Sequence, residues 1–217
     1  MVKNPKFFII MPAKTGSTAM YYMLSQHPEI SVSNPKELAF FSKEKWKDIK
    51  DDPAKYRKKY LNHWDKNQSG FPVDITPAYA TKESINKMLL LYKDVKFVFF
   101  TRNPYDRAIS HMIFKFMDEI DDDFKEQWLR SFENNASMSK TKFSLPDKNN
   151  LDDWLSVVWN NYIEKGLYAA KIQYLHDRSG KENVLVLTHE QLVKNHQNVL
   201  NKMFNFLDLP PMKIDNV

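Results

Sequence analysis

Short runs of apolar residues alternate along this chain with segments whose apolar residues recur every three or four positions. The longer runs cover 6–11, 95–100 and 184–187, and shorter candidates lie at 30–32 and 71–74. A continuous apolar run of this length is typical of a strand buried on both faces of a parallel sheet. Because strands and helices alternate, the pattern predicts an α/β fold, a three-layer sandwich with a mostly parallel central sheet.

Helical periodicity begins at Ser17 and stops before His27 and Pro28, since a proline disfavours helical backbone in the residue that precedes it. Further segments with helical periodicity lie at 82–92, 151–164, 167–177 and 196–207. The first of all these helices directly follows the first strand. The chain therefore begins with a strand, a tight loop and a helix.

The alternation stops between Met117 and Asn150, a stretch that is acidic at 118–123 and polar after Phe132. We interpret this stretch, at about 117–150, as a helical excursion with a surface loop inside a single domain that covers 1–217. Long loops on rigid scaffolds often carry specificity. The stretch is thus either an insertion without a role or a lid or ligand-binding loop.

The composition is that of a folded protein. The chain has 217 residues, of which 42% are hydrophobic and 14% aromatic, enough for one substantial core and too many for a disordered chain. No apolar run approaches the ~20 residues of a membrane-spanning helix, and the N-terminus leads into a strand instead of a signal peptide. The sequence has no cysteine, which excludes disulfides and thiolate metal sites. We expect a cytoplasmic protein without a membrane span.

The net charge is +5, and much of the excess lies in the stretch 43–59. A mixed charge run of this kind is either a solvated helical surface or a basic rim that steers an anionic ligand. It lacks the repeated interleaving of aromatic residues that favours stacking on nucleic-acid bases. We therefore expect no nucleic-acid partner.

The segment Pro12–Thr18 joins the first strand to the first helix, so the positive end of that helix faces the loop. Lys14 adds a charge, Gly16 permits close backbone approach, and the hydroxyls of Ser17 and Thr18 are hydrogen-bond donors. Serine and threonine are also ordinary helix caps. A Walker A loop has its lysine after the second glycine, whereas Lys14 precedes Gly16 here. The loop predicts an anion site that resembles a P-loop but is not a standard ATP or GTP site.

Three blocks of sequence together resemble the sulfotransferases that use 3′-phosphoadenosine 5′-phosphosulfate (PAPS), in particular the branch with heparan sulfate and bacterial enzymes. They are F-F-I-I-M-P-A-K-T-G-S-T, N-P-K-E-L-A-F-F and F-F-T-R-N-P-Y-D-R-A-I-S. The similarity continues through G-L-Y-A-A-K and N-V-L-V-L-T-H-E-Q-L to F-L-D-L-P, and so spans almost the whole chain. The resemblance implies PAPS as sulfuryl donor, 3′-phosphoadenosine 5′-phosphate (PAP) as product, and no metal.

The resemblance also assigns roles to residues of the phosphate loop. The positions that would hold the 5′-phosphosulfate are Lys14, Thr15, Gly16, Ser17 and Thr18. Lys14 would in addition be catalytic, because its charge can stabilise the negative charge that develops on the departing phosphate.

The other two blocks supply the 3′-phosphate site and the base. By the resemblance, Arg102 and Ser110 would bind the 3′-phosphate; an arginine at the end of a strand suits a bidentate contact, and Pro104 suits the first turn of a helix. Glu37 would be the base that deprotonates the acceptor, although an isolated glutamate is usually an exposed surface acid. The histidines, among them His189, lie in no matching role and are expected at surface or packing positions.

The sequence departs from relatives that modify glycans at three places. Ile75 replaces a lysine that serves the reaction centre in E-K-[ST]-P-A-Y, and Ala39 and Ser42 replace a histidine and an acid of relatives that sulfate the 3-position. Relatives also continue into a basic, glycine-containing loop beyond the position of Val217, so either the sequence is truncated or another segment closes the site, and we expect weaker cofactor binding than in those relatives. The acceptor stays open: a sugar hydroxyl first, then a small-molecule or lipid hydroxyl, then an amine.

We therefore predict an enzyme that moves a sulfuryl group from PAPS to a glycan or small-molecule hydroxyl by in-line displacement, with Glu37 as base. One alternative is a P-loop nucleotide or small-molecule kinase, for which Asp74 is the obvious magnesium ligand. Another is a catalytically weakened PAP-binding protein of the same fold.

Overall fold

The computed structural model describes residues 2–43, 52–65, 67, 69–119 and 158–215. These residues fall into two compact units, Met1–Asn103 with Leu167–Val217, and Pro104–Gly166. The predicted excursion at about 117–150 lies outside the described residues except for the end of one helix, as does most of the predicted helix at 151–164.

The strands of the described chain all lie in the first unit and all pair in parallel. They are β1 (Phe7–Ile10), β2 (Ile30–Val32), β3 (Phe71–Val73), β4 (Lys96–Thr101) and β5 (Val184–Thr188). One sheet has the order β1-β4-β5, and β2 pairs with β3 in a second. The predicted parallel strands are confirmed, each within one or two residues of its predicted bounds.

Alternating side chains of the central strands enter two separate cores. Phe8 and Ile10 of β1 belong to one buried cluster, in which Ile85 and Met88 pack from the helix at 82–91. The neighbouring β1 residues Phe7 and Ile9 belong to the other, with Met20 and Met23 from the helix at 17–24 and Leu200 and Met203 from that at 196–206. A continuous apolar run is therefore buried on both faces, and the predicted three-layer sandwich is confirmed.

The helices of the described residues are α1 (Ser17–Leu24), α2 (Phe40–Lys43), α3 (Pro53–Leu61), α4 (Lys82–Leu91), α5 (Pro104–Glu119), α6 (Ala169–Ser179), α7 (His189–Lys194) and α8 (His196–Phe206). Shorter helical turns lie at Pro77–Tyr79, Trp159–Ile163, Glu164–Gly166 and Lys181–Asn183. The helices predicted after Ser17 and at 82–92, 167–177 and 196–207 are confirmed. None of the helices in the described residues is long and apolar enough to cross a membrane.

Local capping explains where several helices begin. The side chain of Thr81 accepts a hydrogen bond from the backbone N–H of Ser84 at the start of α4, and Thr188 forms a capping box with Gln191 at the start of α7. Such caps typically contribute about 1 kcal/mol. In the basic stretch, Asp52 caps α3 and the lysines of α3 are exposed, which fits both a solvated helical surface and a basic rim.

Candidate active site

Three parallel strands end at one edge of the sheet. Ile10 of β1 pairs with Phe99 of β4, and Thr101 of β4 pairs with Thr188 of β5. The residues that directly follow these strands are the phosphate loop, Arg102 and His189. Open α/β sheets bind ligands at the carboxyl ends of their strands, so this edge is the candidate site.

The phosphate loop closes on itself through Thr15, which is fully buried. Its hydroxyl donates to the carbonyl oxygen of Pro12 at 2.7 Å, and its backbone N–H donates to the same oxygen at 3.2 Å. Lys14 and Gly16 on either side both have left-handed backbone, with φ of 70° and 95°. The two left-handed residues turn the chain from β1 into α1 within a few positions.

Gly16 is the N-cap of α1 and offers no side chain to its first turn, so the positive end of the helix is not satisfied by a capping group. Ser17 is buried at the helix start and Thr18 is exposed. A Cβ on Gly16 would lie 3.1 Å from Nδ1 of His189. Glycine is required here by the backbone angle and by the imidazole behind it.

Arg102 reaches back to the phosphate loop from the end of β4. Its guanidinium Nη1 donates to the backbone carbonyl of Lys14 at 2.9 Å. Partial burial, and then the nearby Arg102 charge, lower the pKa of Lys14. Two positive charges held this close favour an anionic ligand.

His189 is a residue of the site that the sequence analysis did not identify. Burial, and then the charge of Arg102, lower the pKa of its imidazole, while the backbone of Thr15 and the carboxylate of Glu190 act in the opposite direction. Its buried Nδ1 has no hydrogen-bond partner among the described residues. The sequence carried one signal for this residue: His189 comes just after the predicted strand at 184–187, in the same way that the phosphate loop follows the first strand.

Glu190 fixes the turn after β4. Its carboxylate accepts a hydrogen bond from the backbone N–H of Asn103 at 2.7 Å. Pro104 then opens α5, as predicted. Ser110 lies on α5 in the second compact unit and is half-buried, whereas Arg102 belongs to the first unit.

Glu37 lies between β2 and α2, where its carboxylate is exposed. It forms an ion pair with Lys36, with 2.6 Å between Nζ and Oε1 and 44% of the glutamate side chain accessible. Exposed ion pairs contribute little to stability, so this pairing leaves the carboxylate available to another partner. Ala39, two residues later, has left-handed backbone with φ of 53°.

A buried polar cluster lies directly behind this segment. Asp74, 2% exposed, accepts hydrogen bonds from the hydroxyls of Thr76, at 2.8 Å, and Tyr79, and from the backbone N–H of Leu38 at 3.3 Å. Burial raises the pKa of Asp74 to about 6, with the hydrogen bonds from Tyr79 and Thr76 opposing that rise and Glu37 adding to it. With its oxygens already used, Asp74 does not suit the magnesium-ligand role of the kinase alternative.

Within the described residues, no group of three or more histidine, aspartate and glutamate side chains is arranged to hold a metal ion.

Comparison with known proteins identifies one family. A family model described as Sulfotransferase domain matches residues 4–217. Among curated proteins, carbohydrate sulfotransferase 15 of Mus musculus is 23% identical over an alignment of 256 positions, gaps included, which covers 96% of this chain and 44% of that protein. The chain thus spans less than half the length of this curated relative.

Solved structures share the fold. A sulfotransferase from Alicyclobacillus acidocaldarius superposes with a TM-score of 0.67 at 22% identity, over 99% of this chain and 85% of that one. A mouse sulfotransferase complexed with PAP gives a TM-score of 0.54 at 15% identity, over 98% of this chain and 61% of that one. The parallel sheet with its P-loop-like loop is therefore the fold of sulfotransferases.

Proposed function

Since the chain belongs to the sulfotransferase domain family, we propose that it transfers a sulfuryl group from PAPS to an acceptor hydroxyl. The observation that carries the proposal is the edge where Lys14, Arg102 and the uncapped start of α1 meet. This arrangement concentrates positive charge and backbone N–H groups at a single loop, which is what a phosphosulfate needs. The mouse relative solved with PAP supports the choice of donor.

The loop residues suit the 5′ end of the donor. Lys14 supplies the charge, the start of α1 supplies N–H groups through Gly16 and Ser17, and Thr18 exposes a hydroxyl. Thr15 is buried, and both its hydroxyl and its backbone N–H donate to the Pro12 carbonyl, so we assign it to shaping the loop. Arg102 and Ser110 remain our proposal for the 3′-phosphate.

PAPS supplies a sulfuryl group on a good leaving group, and transfer forms a bond from the acceptor oxygen to sulfur while the bond from sulfur to the bridging phosphate oxygen breaks. We propose that Glu37 takes the proton of the acceptor hydroxyl and later passes it to water. Lys14 stabilises the charge left on the phosphate oxygen. Positioning and charge, and not covalent catalysis, then account for the rate.

For the acceptor we propose a carbohydrate hydroxyl, in line with the curated carbohydrate sulfotransferase relative. Ile75, at the place of a lysine in glycan-modifying relatives, is fully buried in the second core cluster. Its apolar surroundings do not suit a charge, so Lys14 would act without a second lysine at that position.

Donor binding is tested by calorimetry with PAP and with Mg-ATP. We expect PAP to bind and to raise the melting temperature by mass action, and Mg-ATP to do neither at the same concentration. Arg102→Ala should weaken PAP by about 10- to 100-fold. It should weaken adenosine 5′-phosphosulfate, which lacks the 3′-phosphate, much less. The loss of affinity that both ligands share measures the contribution of the bond from Arg102 to the Lys14 carbonyl. Failure of the wild-type protein to bind PAP would refute the proposal.

The base is tested once a screen of sugars, phenols and alcohols with labelled PAPS has given an acceptor. Glu37→Gln should leave PAP affinity nearly unchanged and lower kcat by about 10²-fold or more. Glu83→Gln is the matched control, because Glu83 is also exposed and also pairs with a lysine, Lys87, at 2.7 Å. Wild-type turnover by Glu37→Gln would refute the assignment of the base.

A further inference from the structure

The segment that follows Glu37 is held by side chains from a different part of the chain. Its backbone N–H groups at Leu38, Ala39 and Phe41 donate in turn to Asp74 Oδ1 at 3.3 Å, to Thr76 Oγ1 at 3.1 Å and to the Tyr79 hydroxyl at 3.4 Å. Each of three backbone donors has its own acceptor. Three backbone donors of this segment, the last of them in α2, are thus satisfied by side chains.

Asp74 determines the direction of these hydrogen bonds. The hydroxyls of Thr76 and Tyr79 each have one proton, and both donate it to the Asp74 carboxylate. Each hydroxyl therefore presents a lone pair to the backbone N–H that it receives. Burial of this network makes every member depend on the others.

The same segment is under conformational strain and is tied at its other end. Ala39 has left-handed backbone, which a residue with a Cβ keeps only when its surroundings impose it. Upstream, the Ser33 hydroxyl donates to the Lys36 carbonyl at 2.9 Å, and the Ser33 carbonyl accepts from Tyr21 of α1 at 2.8 Å. Glu37 therefore lies between one anchor on the helix of the phosphate loop and a second on the buried cluster.

We propose that Asp74, Thr76 and Tyr79 are positioning residues for sulfuryl transfer: by fixing the backbone of 38–41 they set where the Glu37 carboxylate lies. This inference rests on the proposed function, in which Glu37 is the base. The three residues do not contact the acceptor in this scheme. They act on turnover through Glu37 and leave donor binding to the phosphate loop.

The first test is Thr76→Val, which keeps the shape of the side chain and removes both hydrogen bonds. We expect kcat to fall about tenfold or more, since small displacements of a catalytic group are costly, with PAP affinity unchanged. Thr76→Ser should restore most of kcat. Tyr79→Phe, a milder change, provides the same test if Thr76→Val does not fold.

The control is Tyr60→Phe. Tyr60 is fully buried and its ring packs on Phe41, with 4.9 Å between centroids, but its hydroxyl has no hydrogen-bond partner among the described residues. Tyr60→Phe should leave kcat at the wild-type value. In addition, amide hydrogen exchange at Ala39 should be faster in Thr76→Val than in wild type and unchanged in Tyr60→Phe.

A double-mutant cycle separates positioning from a general loss of structure. If Thr76 acts through Glu37, adding Thr76→Val to Glu37→Gln should lower kcat by less than twofold further. If Thr76→Val lowers kcat equally in the wild-type and Glu37→Gln backgrounds, the inference is overturned but the base assignment stays intact. The same conclusion follows if Thr76→Val and Tyr79→Phe both turn over at the wild-type rate. Wild-type turnover by Glu37→Gln itself would overturn the base assignment, and the inference with it.

Discussion

The phosphate loop and the Glu37 segment are built on the same plan but are stabilised differently. Each follows a parallel strand, each leads into a helix, and each contains a left-handed residue other than glycine, Lys14 or Ala39. The loop is closed by a residue three positions away, through Thr15 and Pro12. The Glu37 segment is held by side chains 36 to 38 positions later in the chain. The phosphate loop therefore combines a local closure with one distant bond, from Arg102 to the Lys14 carbonyl, whereas three distant side chains bond the backbone after Glu37.

This difference separates two kinds of failure. In the mechanism we propose, the phosphate loop contacts the donor directly, so damage to the loop should appear in donor affinity and in stabilisation of the leaving group. Damage to the support of Glu37 should appear in turnover alone.

Lys14→Ala should cause the largest loss. Removing the charge that offsets the developing phosphate charge should lower kcat/KM by about 10²- to 10³-fold, and PAP affinity should fall as well. Lys202→Ala, which removes an exposed lysine of α8, is the control for net charge and should change neither. Steady-state kinetics with labelled PAPS provide the measurement, and a variant with intact kcat/KM would remove Lys14 from the mechanism.

Asp74→Asn should change the pH dependence of stability. Because burial raises the pKa of Asp74 to about 6 from 3.8, its contribution is fully present below pH ~4 and is lost as pH rises through 6, a change on the order of 3 kcal/mol. The free energy of unfolding of wild type minus that of Asp74→Asn should therefore decrease between pH 4 and 7. Urea titrations across this range measure the difference, and parallel curves for the two proteins would contradict the prediction.

Gly16→Ala should weaken PAP binding by about 10- to 100-fold, the equivalent of about 1–3 kcal/mol of strain. The alanine must adopt a φ of 95° and crowd His189. Gly180→Ala is the matched control, since Gly180 has a φ of 81° and precedes β5. It should lose stability but keep PAP affinity. In the Gly16→Ala variant, a second substitution, His189→Ala, should restore only the part of the PAP affinity that was lost through crowding.

His189 should give the smallest effect. Its imidazole has a lowered pKa and lies beside Arg102 and Glu190, so it is neutral at neutral pH, and an anionic ligand favours its protonation. PAP should bind a few-fold more tightly once the pH falls below the lowered pKa of His189, an effect of less than about 1 kcal/mol for a half-exposed group. In His189→Gln, the part of the pH dependence of PAP binding that comes from the imidazole should disappear. The part that comes from titration of the PAP phosphates should remain. Identical pH profiles for both proteins would exclude any contribution from His189.

Much of the fold was predictable because its signals are local. The run Phe7–Ile10 is apolar at each position because both faces of β1 are buried, and the phosphate loop shows its glycine and lysine directly after that run. The position of His189 depends on the register of β4 with β5, which periodicity does not contain. Asp74 and Thr76 are ordinary residue types in a short segment, and only the tertiary structure brings them to the backbone at Leu38 and Ala39.

The buried cluster binds main-chain N–H groups of the segment after Glu37, and Tyr79 also packs against the Phe41 ring, with 5.3 Å between centroids. Every residue except proline offers the same donor. The hydrogen bonds from the cluster to Leu38 and Ala39 therefore make no demand on side-chain identity beyond the exclusion of proline. Ser42 does not share this freedom, since its hydroxyl donates to the Ala39 carbonyl at 3.1 Å. In the mechanism we propose, substitutions that keep these bonds would change the acceptor surface without moving Glu37.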